Sequence, residues 1–214
     1  MINEIIIPEY CYVVDNKHGK YCLNHKFGND PCVKDILNGD TYECLTIEYI
    51  LNNHNCKDVV HAGAYFGDTI VSIYKIPGNI YAFEPNPYNY ECAKLTLELN
   101  DIRNVNLYNY ALWNESKDLK LKDNGGLSKV SDNGVDIKGV RIDDIVNTEV
   151  NIIHLDIETS EYQALIGAKD TIKTYNPILI LEFPKGNVTD LIKDWGYKLD
   201  CKFHNNSAYV HEDK

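Results

Sequence analysis

A glycine-containing turn and a downstream glutamate are spaced as in a nucleoside-binding site. The stretch 61–69, HAGAYFGDT, follows an apolar run and has Gly63 and Gly67 where a strand would turn into a helix. Glycines there let the backbone approach a ligand closely, and the helix then offers free N–H groups. Glu84 ends the next apolar run, about twenty residues beyond the first glycine, where a carboxylate can accept hydrogen bonds from both ribose hydroxyls. The pattern predicts a nucleoside-containing cofactor.

Other residues at the ends of these runs would complete the cofactor site. Tyr110, Ala111 and Leu112 would form a flat apolar wall for an adenine ring. The glycine spacing, G-x-x-x-G, differs from the G-x-G-x-x-G that binds a dinucleotide pyrophosphate, which argues against a nicotinamide-dependent oxidoreductase. The predicted cofactor-binding residues are His61, Ala62, Gly63, Tyr65, Gly67, Asp68, Thr69, Glu84, Pro85, Asn86, Tyr110, Ala111, Leu112 and Asp156.

A second group of titratable residues belongs to the apolar run 151–157, NIIHLDI. Side chains alternate along a strand, so His154 and Asp156 would share a face, with Asp156 at the rim. We predict that Asp156 lies beside the reacting atom and that His154 or Glu158 is the catalytic base. For His154 the alternative is a histidine packed in the core. Glu182, at the end of another apolar run, could join Asp156 and Glu158 around a divalent cation, which the pattern leaves open.

The elements that would position these residues alternate between strand and helix from about residue 58 onward. Short, nearly all-apolar strands between helices are typical of a parallel sheet covered on both faces. Ligands bind such sheets at the carboxyl ends of the strands, near the point where strand order reverses. The predicted strands are KDVVHAG, NIYAFEP, NVNLYNYAL, NIIHLDI and PILILEF, and the main helices are DTIVSIYKI, PYNYECAKLTLELN and SEYQALIGAKDTI.

The C-terminal part distinguishes two families of doubly wound fold. A predicted helix, VTDLIKDWG, precedes YKLDCKF and SAYVHE, which are strand-like and joined by His204-Asn205-Asn206, a hairpin signal. An antiparallel hairpin that closes a mostly parallel sheet is typical of class I methyltransferases, whereas dinucleotide dehydrogenases end on a parallel strand. The sequence therefore predicts a class I methyltransferase (Rossmann-like) α/β fold.

Two further segments have predicted roles. Residues 1–55 are predicted to form a small β/α cap, with strands EIIIPEYCYVV and KYCLNHKF and a helix in DTYECLTIEYILNN, and residues 56–214 to form the methyltransferase domain. The polar, glycine-rich segment Asn124–Gly139 is predicted to be a loop, either a lid over the acceptor or a mobile surface loop.

The segments VVHAGAYFGDT, IYAFEPNPYNYECAKLTLELN, VNLYNYALWNES, VRIDDIV, IIHLDIETSEYQALIGAKDTI and NPILILEF resemble the FkbM family of S-adenosylmethionine-dependent methyltransferases. The resemblance covers roughly residues 56–185, in order and with few gaps, and EPNP and LDIETSEYQALIGAKDTI are its most specific parts. It implies S-adenosylmethionine as cofactor and O-methylation of a hydroxyl on a sugar, a glycan or another small molecule.

The chain departs from the family pattern at four positions: His61 replaces Asp, Ala64 replaces Asn, His154 replaces Lys, and Thr159 replaces Gly in E-G-[AS]-E. The resemblance implies that an acid at position 61 helps to bind the methionine end of the cofactor. Here Glu43 or Asp68 would have to take over that role. The departures keep a second interpretation open, in which the fold is a cofactor-binding or interaction module with little or no methyltransferase activity.

The amino-acid composition limits which binding partners and which cellular compartment we expect. The formal net charge is −11, and no Lys/Arg-rich stripe is visible, which argues against nucleic acid or an anionic membrane as the main partner. No apolar run approaches the roughly 20 residues that span a bilayer. The seven cysteines form no CxxC pair, and the start of the sequence lacks the pattern of a signal peptide, so we expect reduced thiols and a cytoplasmic protein. Formation of a homo-oligomer is left open.

Overall fold

The computed structural model describes residues 5–213 of the chain, so Glu4, where the first predicted strand begins, and Lys214 lie outside the described residues. The strands are β1 Cys11–Asn16, β2 Gly19–Asn24, β3 Asp58–Ala62, β4 Ile80–Phe83, β5 Val105–Tyr108, β6 Ala111–Leu112, β7 Lys117–Lys122, β8 Lys129–Ser131, β9 Val135–Val140, β10 Val150–Leu155, β11 Ile178–Glu182, β12 Tyr197–Phe203 and β13 Asn206–His211. The helices are α1 Pro31–Asn38, α2 Cys44–Asn53, α3 Asp68–Ile73, α4 Pro87–Leu99, α5 Ile142–Ile145, α6 Glu161–Ile166, α7 Lys169–Tyr175 and α8 Gly186–Asp194.

The central sheet has the strand order β12-β13-β11-β10-β3-β4-β5. β3 pairs in parallel with β4 and β10, and β10 pairs in parallel with β11. The C-terminal hairpin closes this sheet, because β13 runs antiparallel to both β11 and β12. The order reverses between β3 and β10, which is the predicted position of the ligand site. These pairings confirm the predicted class I methyltransferase fold with its antiparallel hairpin.

Helices cover both faces of the sheet because successive strand residues point to opposite sides. Along β3, Val59 belongs to one apolar cluster and Val60 to the other. The Val59 cluster includes Phe66 and Ile70 and extends into the N-terminal segment, whereas the Val60 cluster includes Leu165 of α6. All five residues of β3 and all six of β10 are buried, which explains their nearly continuous apolar sequences.

The N-terminal segment, residues 5–55, is called the cap here. Its hairpin pairs β1 with β2 in antiparallel register, and α2 lies where a helix was predicted. Helix α1 was not predicted; the Asp30 side chain caps it by accepting from Cys32 N at 3.0 Å, and Gly39 ends it in the left-handed region. The cap shares an apolar cluster with β3 and α3, so the division at residue 55 stays a prediction.

A second, four-stranded sheet has the order β6-β9-β7-β8 and is called the accessory sheet. The prediction of a loop over Asn124–Gly139 was therefore wrong for β8 and β9, although residues 124–128 remain a turn-rich connection. The predicted strand NVNLYNYAL is also divided, because its first half pairs with β4 while Ala111 and Leu112 pair with β9. The apolar core of this sheet is small, with Ala111, Leu121 and Ile137 buried.

The predicted helix SEYQALIGAKDTI is broken in two at Gly167, giving α6 and α7. A Cβ atom at Gly167 would lie 2.0 Å from the carbonyl oxygen of Trp113, so the chain needs glycine where it passes β6. Among residues 5–213, none of the helices combines the length and apolar content required to cross a bilayer.

Candidate active site

A cavity of about 350 Å³ opens at the carboxyl ends of β3, β4, β10 and β11. Its position is the one that the doubly wound topology favours for a ligand. Most of the predicted site residues line it, namely Ala62, Gly63, Tyr65, Asp68, Thr69, Glu84, Pro85, Tyr110, Ala111, Leu112, Asp156 and Glu158. Glu182, the third proposed ligand of a cation, lines it as well.

Two predicted residues, His61 and His154, do not line the cavity. They lie side by side on β3 and β10, stacked with ring centroids 4.9 Å apart and with their Nδ1 atoms 3.0 Å apart. Both are buried, and burial lowers the pKa of His61 and that of His154, the latter to about 4. His154 thus matches the core interpretation, and its geometry gives no support to a role as base.

Gly67 and Asn86 also lie outside the cavity lining but shape it. Gly67, with φ +84°, turns the chain into α3, and the Asn86 side chain caps α4 by accepting from Tyr88 N at 3.0 Å. These residues act on the site through the backbone, as turn and cap residues do.

The turn after β3 holds the strand ends close together. Gly63 has φ +88°, and a Cβ atom there would lie 2.0 Å from the carbonyl oxygen of Asp156. The Asp156 amide in turn donates to the carbonyl of Ala62 at 3.1 Å. The glycine therefore lets the turn between β3 and α3, called the cofactor turn here because a cofactor is predicted to bind it, lie against Asp156.

Glu84 is a buried carboxylate on the cavity wall. It accepts hydrogen bonds from the backbone amides of Tyr65 (2.9 Å) and Asn86 (2.8 Å), one on each oxygen. Burial raises its pKa to about 8, and these two bonds only partly offset the effect. Each oxygen keeps acceptor capacity, so the group suits a ligand that brings hydroxyl donors, as a ribose does.

Other carboxyl groups face the same cavity from four separate elements. Burial, together with the charge of the neighbouring Glu182, holds the Asp156 pKa well above its usual range. Burial also raises the pKa of Glu43 to about 7 and that of Asp68 to about 6. Acids crowded in this way repel one another when ionised, so a cationic ligand would be stabilised among them.

The cap supplies part of the lining that sequence reasoning missed. Asp30, Cys32, Tyr42 and Glu43 all face the cavity. Of these, only Glu43 had been considered, as a substitute for the acid missing at position 61. No local motif distinguishes Asp30, Cys32 or Tyr42, since the approach of the cap to the sheet is a tertiary feature.

Glu43 is held by the C-terminal hairpin. Its backbone is left-handed, with φ +51°, immediately before α2, and its side chain makes no capping hydrogen bond. Instead, the amide of Asn206 donates to Glu43 Oε1 at 2.8 Å and to Thr46 Oγ1 at 3.2 Å. Asn206 is itself buried and pairs with Glu182 in the sheet. The hairpin thus orients an acid of the cap toward the cavity.

The connection between β7 and β8 covers the opposite side of the cavity. Its anchor, Asp123, pairs with Lys26 and accepts from Asn86 Nδ2 at 2.9 Å. The amide of Gly126 donates to Asp30 at 3.4 Å. The cap, the turn between β4 and α4, and the connection between β7 and β8 are therefore joined by polar contacts.

Glu158 lies at the mouth of the cavity. Its backbone and that of Thr159 are both left-handed, with φ +40° and +72°. A smaller adjoining depression is lined by Glu158 with Lys122, Leu127 and Lys129. Burial raises the Glu158 pKa, while Lys129 and Lys185 pull it down. The residue is thus accessible to an acceptor in a way that His154 is not.

The divalent cation is not supported by this geometry. In the part of the chain that the structure describes, Asp156, Glu158 and Glu182 do not bring their oxygens close enough together to form a three-ligand site.

Comparison with known families identifies a relationship over most of the chain. The family model described as the Methyltransferase FkbM domain matches residues 61–199, which confirms the resemblance found in the sequence motifs. No curated protein matches the chain significantly.

Solved structures share the fold. The FkbM methyltransferase from Methylobacillus flagellatus KT superposes with a TM-score of 0.57 at 19% identity, over 72% of this chain and 43% of that one. A putative rRNA methylase from Clostridium thermocellum gives 0.51 at 13% identity, over 79% and 94%. A SAM-dependent methyltransferase from Aquifex aeolicus gives 0.50 at 14% identity, over 86% and 95%. This chain thus spans less than half the length of the Methylobacillus protein.

Proposed function

The chain belongs to the methyltransferase FkbM domain family, and we propose on that premise that it transfers a methyl group from S-adenosylmethionine to a hydroxyl of a sugar, glycan or other small molecule. The observation that best supports this function is the cavity at the strand ends where the strand order reverses. Glu84 lines this cavity together with Glu43, Asp68 and Asp156. When bound, this cofactor supplies an electrophilic methyl group on a positively charged sulfur. Buried Glu84 and the half-buried acids around it fit such a ligand, because its cationic groups relieve their mutual repulsion.

Each end of the cofactor has matching residues. We expect Glu84 to accept hydrogen bonds from the ribose hydroxyls, and residues 110–112, which also line the cavity, to contact the adenine ring. The methionine end would lie toward Glu43 and Asp68, which carry acid functions that the buried His61 does not supply. Glu43 comes from the cap, and Asp68 is the first residue of α3, directly after the turn that follows β3.

The reaction requires alignment of an acceptor oxygen with the methyl group and removal of the hydroxyl proton. Asp156 is proposed to lie beside the transferred methyl, because it follows β10 at the base of the cavity next to Gly63. Glu158 is proposed as the base, since it lies two residues further on at the mouth. The proton would pass from the acceptor hydroxyl to a Glu158 carboxylate oxygen.

The proposed class of acceptor rests on the family resemblance and on exposed apolar side chains near the cavity. Leu127, which lines the cavity, and Phe183, which follows Glu182 in the chain, are both 61% exposed and offer apolar surface of the kind that packs against sugar faces. Acceptors on nucleic acid are disfavoured by the net charge of −11. We further propose that the protein acts in the cytoplasm.

Ligand-dependent stabilisation tests cofactor choice first. S-adenosylhomocysteine at 100 times its dissociation constant should add about 2.7 kcal/mol to the stability of the chain, whereas NAD should add nothing. Stabilisation by NAD alone would indicate an oxidoreductase and contradict the proposal.

Methyl transfer from labelled cofactor to a panel of sugars and glycans tests turnover. Asp156→Ala and Glu158→Gln should each reduce turnover by about 10²-fold or more, while exposed Asp190→Asn, a matched change on α8, should leave it intact. Full turnover by Asp156→Ala would remove its central role. Binding of S-adenosylhomocysteine without transfer to any acceptor would favour the cofactor-binding module.

A further inference from the structure

Three cysteines outside the active site lie together where the cap hairpin meets α4. Cys11 is on β1, Cys22 on β2 and Cys92 on α4, and all three are buried. Their sulfur atoms lie within 4.8 Å of one another. Cys11 Sγ and Cys92 Sγ are 3.2 Å apart, well beyond the roughly 2.0 Å of a disulfide, and all three are free thiols.

The surrounding backbone holds this cluster in place. The amide of Cys22 donates to Thr96 Oγ1 on α4 at 2.9 Å. One turn further along α4, Asn100 Oδ1 accepts from the amide of Lys20 at 2.9 Å. Because β2 is tied to the helix at both points, the three thiols are positioned by contacts other than their own.

The donor set suits a soft cation. Thiolates favour closed-shell thiophilic metals such as Cu(I) and Zn(II). Around an ion with sulfur at about 2.3 Å, three ligands lie about 4 Å apart. All three sulfur atoms lie within 4.8 Å of one another, and Cys11 Sγ and Cys92 Sγ, at 3.2 Å, would have to separate by about 0.8 Å to bind an ion. Thiols bind such ions as thiolates, so a bound cation would displace the protons of this cluster.

We propose that Cys11, Cys22 and Cys92 bind one thiophilic d¹⁰ metal ion per chain, with three thiolate ligands. The ion fastens the cap hairpin to α4, so that regions far apart in sequence become cross-linked. Since the cap also carries Asp30 and Glu43 to the cavity wall, occupancy stabilises the cap side of the cavity.

Metal titration of the full chain tests this site. The exposed thiols are first removed with Cys44→Ser and Cys56→Ser, and the reduced protein is titrated anaerobically with Cu(I) or Zn(II) against a chromophoric chelator. One equivalent should be retained, with a raised melting temperature and stronger retention at pH 8 than at pH 6. Cu(I) and Zn(II) are titrated in separate experiments, and the ion that is retained more strongly is the preferred one.

Cys22→Ser in the same background should weaken metal retention at least tenfold. If that variant fails to fold, alkylation mapping of the parent chain decides instead: metal should protect Cys11, Cys22 and Cys92, while half-buried Cys201 stays equally reactive. Failure to retain either metal, retention unchanged in Cys22→Ser, or a Cys11–Cys92 disulfide in the reduced preparation would overturn the proposal.

Discussion

The side-chain amide of Asn206, on the last strand, donates a 2.8 Å hydrogen bond to Glu43 Oε1, in the cap. The two residues are 163 positions apart, yet this contact fixes the direction of an acid on the cavity wall. The C-terminal hairpin therefore contributes to the proposed site without itself supplying a ligand.

Replacement of Asn206 by Asp should weaken the binding of S-adenosylhomocysteine by about tenfold or more. The new carboxylate would face Glu43 in place of a donor, and a hydrogen bond to a charged group contributes about 1.5–3 kcal/mol. Isothermal titration would measure the change. The matched control is Asn205→Asp in the exposed turn beside it, and an equal loss in both variants would show that Glu43 is not held in this way.

The metal- and ligand-free protein should become less stable as pH rises from about 5 to 8. The pKa values of Glu43, Asp68 and Glu84 are raised to about 7, 6 and 8, so the folded chain keeps protons that the unfolded chain has lost. The loss is at most about 1.4 kcal/mol per pH unit for each such proton. Denaturant unfolding at several pH values measures the slope.

Glu84→Gln and Glu43→Gln should each flatten that slope, whereas Glu48→Gln, on the exposed side of α2, should not. A parent protein whose stability rises over this range would contradict the proposed burial of neutral acids at the cavity.

Thr159→Gly should stabilise the protein by roughly 1 kcal/mol. Thr159 has φ +72°, a conformation in which a β-branched residue is strained and glycine is not. The Thr159→Ala variant is the matched control, because it removes the branch but keeps the Cβ atom, and should gain less. Thermal unfolding of the three proteins compares them, and a glycine variant no more stable than the alanine one would show that the strain lies elsewhere.

Gly63→Ala should cost more than about 2 kcal/mol of stability and weaken cofactor binding. Its methyl group would lie 2.0 Å from the carbonyl oxygen of Asp156, at a backbone φ of +88°. Gly186→Ala controls for the substitution itself, because a Cβ atom there meets nothing within 4 Å. Equal stability of the two variants would mean that the turn at Gly63 can move away from Asp156 with little loss of folding free energy.

The central fold was predictable because its signals are local and strong. The fully buried strands β3 and β10 read as apolar runs, and Asn86 with Pro87 marks the start of α4. The glycine turn and the strand-end residue Glu84 follow from the same pattern, since strand order brings their carboxyl ends together.

The accessory sheet escaped prediction because it buries few side chains. Only Leu121 is buried in β7, and glycines and asparagines between its strands resemble a loop. The broken helix at Gly167 depends on a contact with Trp113, which no local pattern reports. Likewise, a buried histidine and a catalytic one have the same sequence signature, and only the tertiary packing shows that His154 is buried.

The segment 105–112 belongs to both sheets, because β5 lies in the central sheet and β6 in the accessory sheet. Its first half is fixed by β4, and its end, with Ala111 and Leu112 buried, starts the accessory sheet. Beyond that junction, β7 is mostly exposed and β8 contains no buried residue, so substitutions there should change the stability little. Because Leu121, Lys129 and Val130 also line the cavity, we expect substitutions in these two strands to change the cavity wall without unfolding the central sheet.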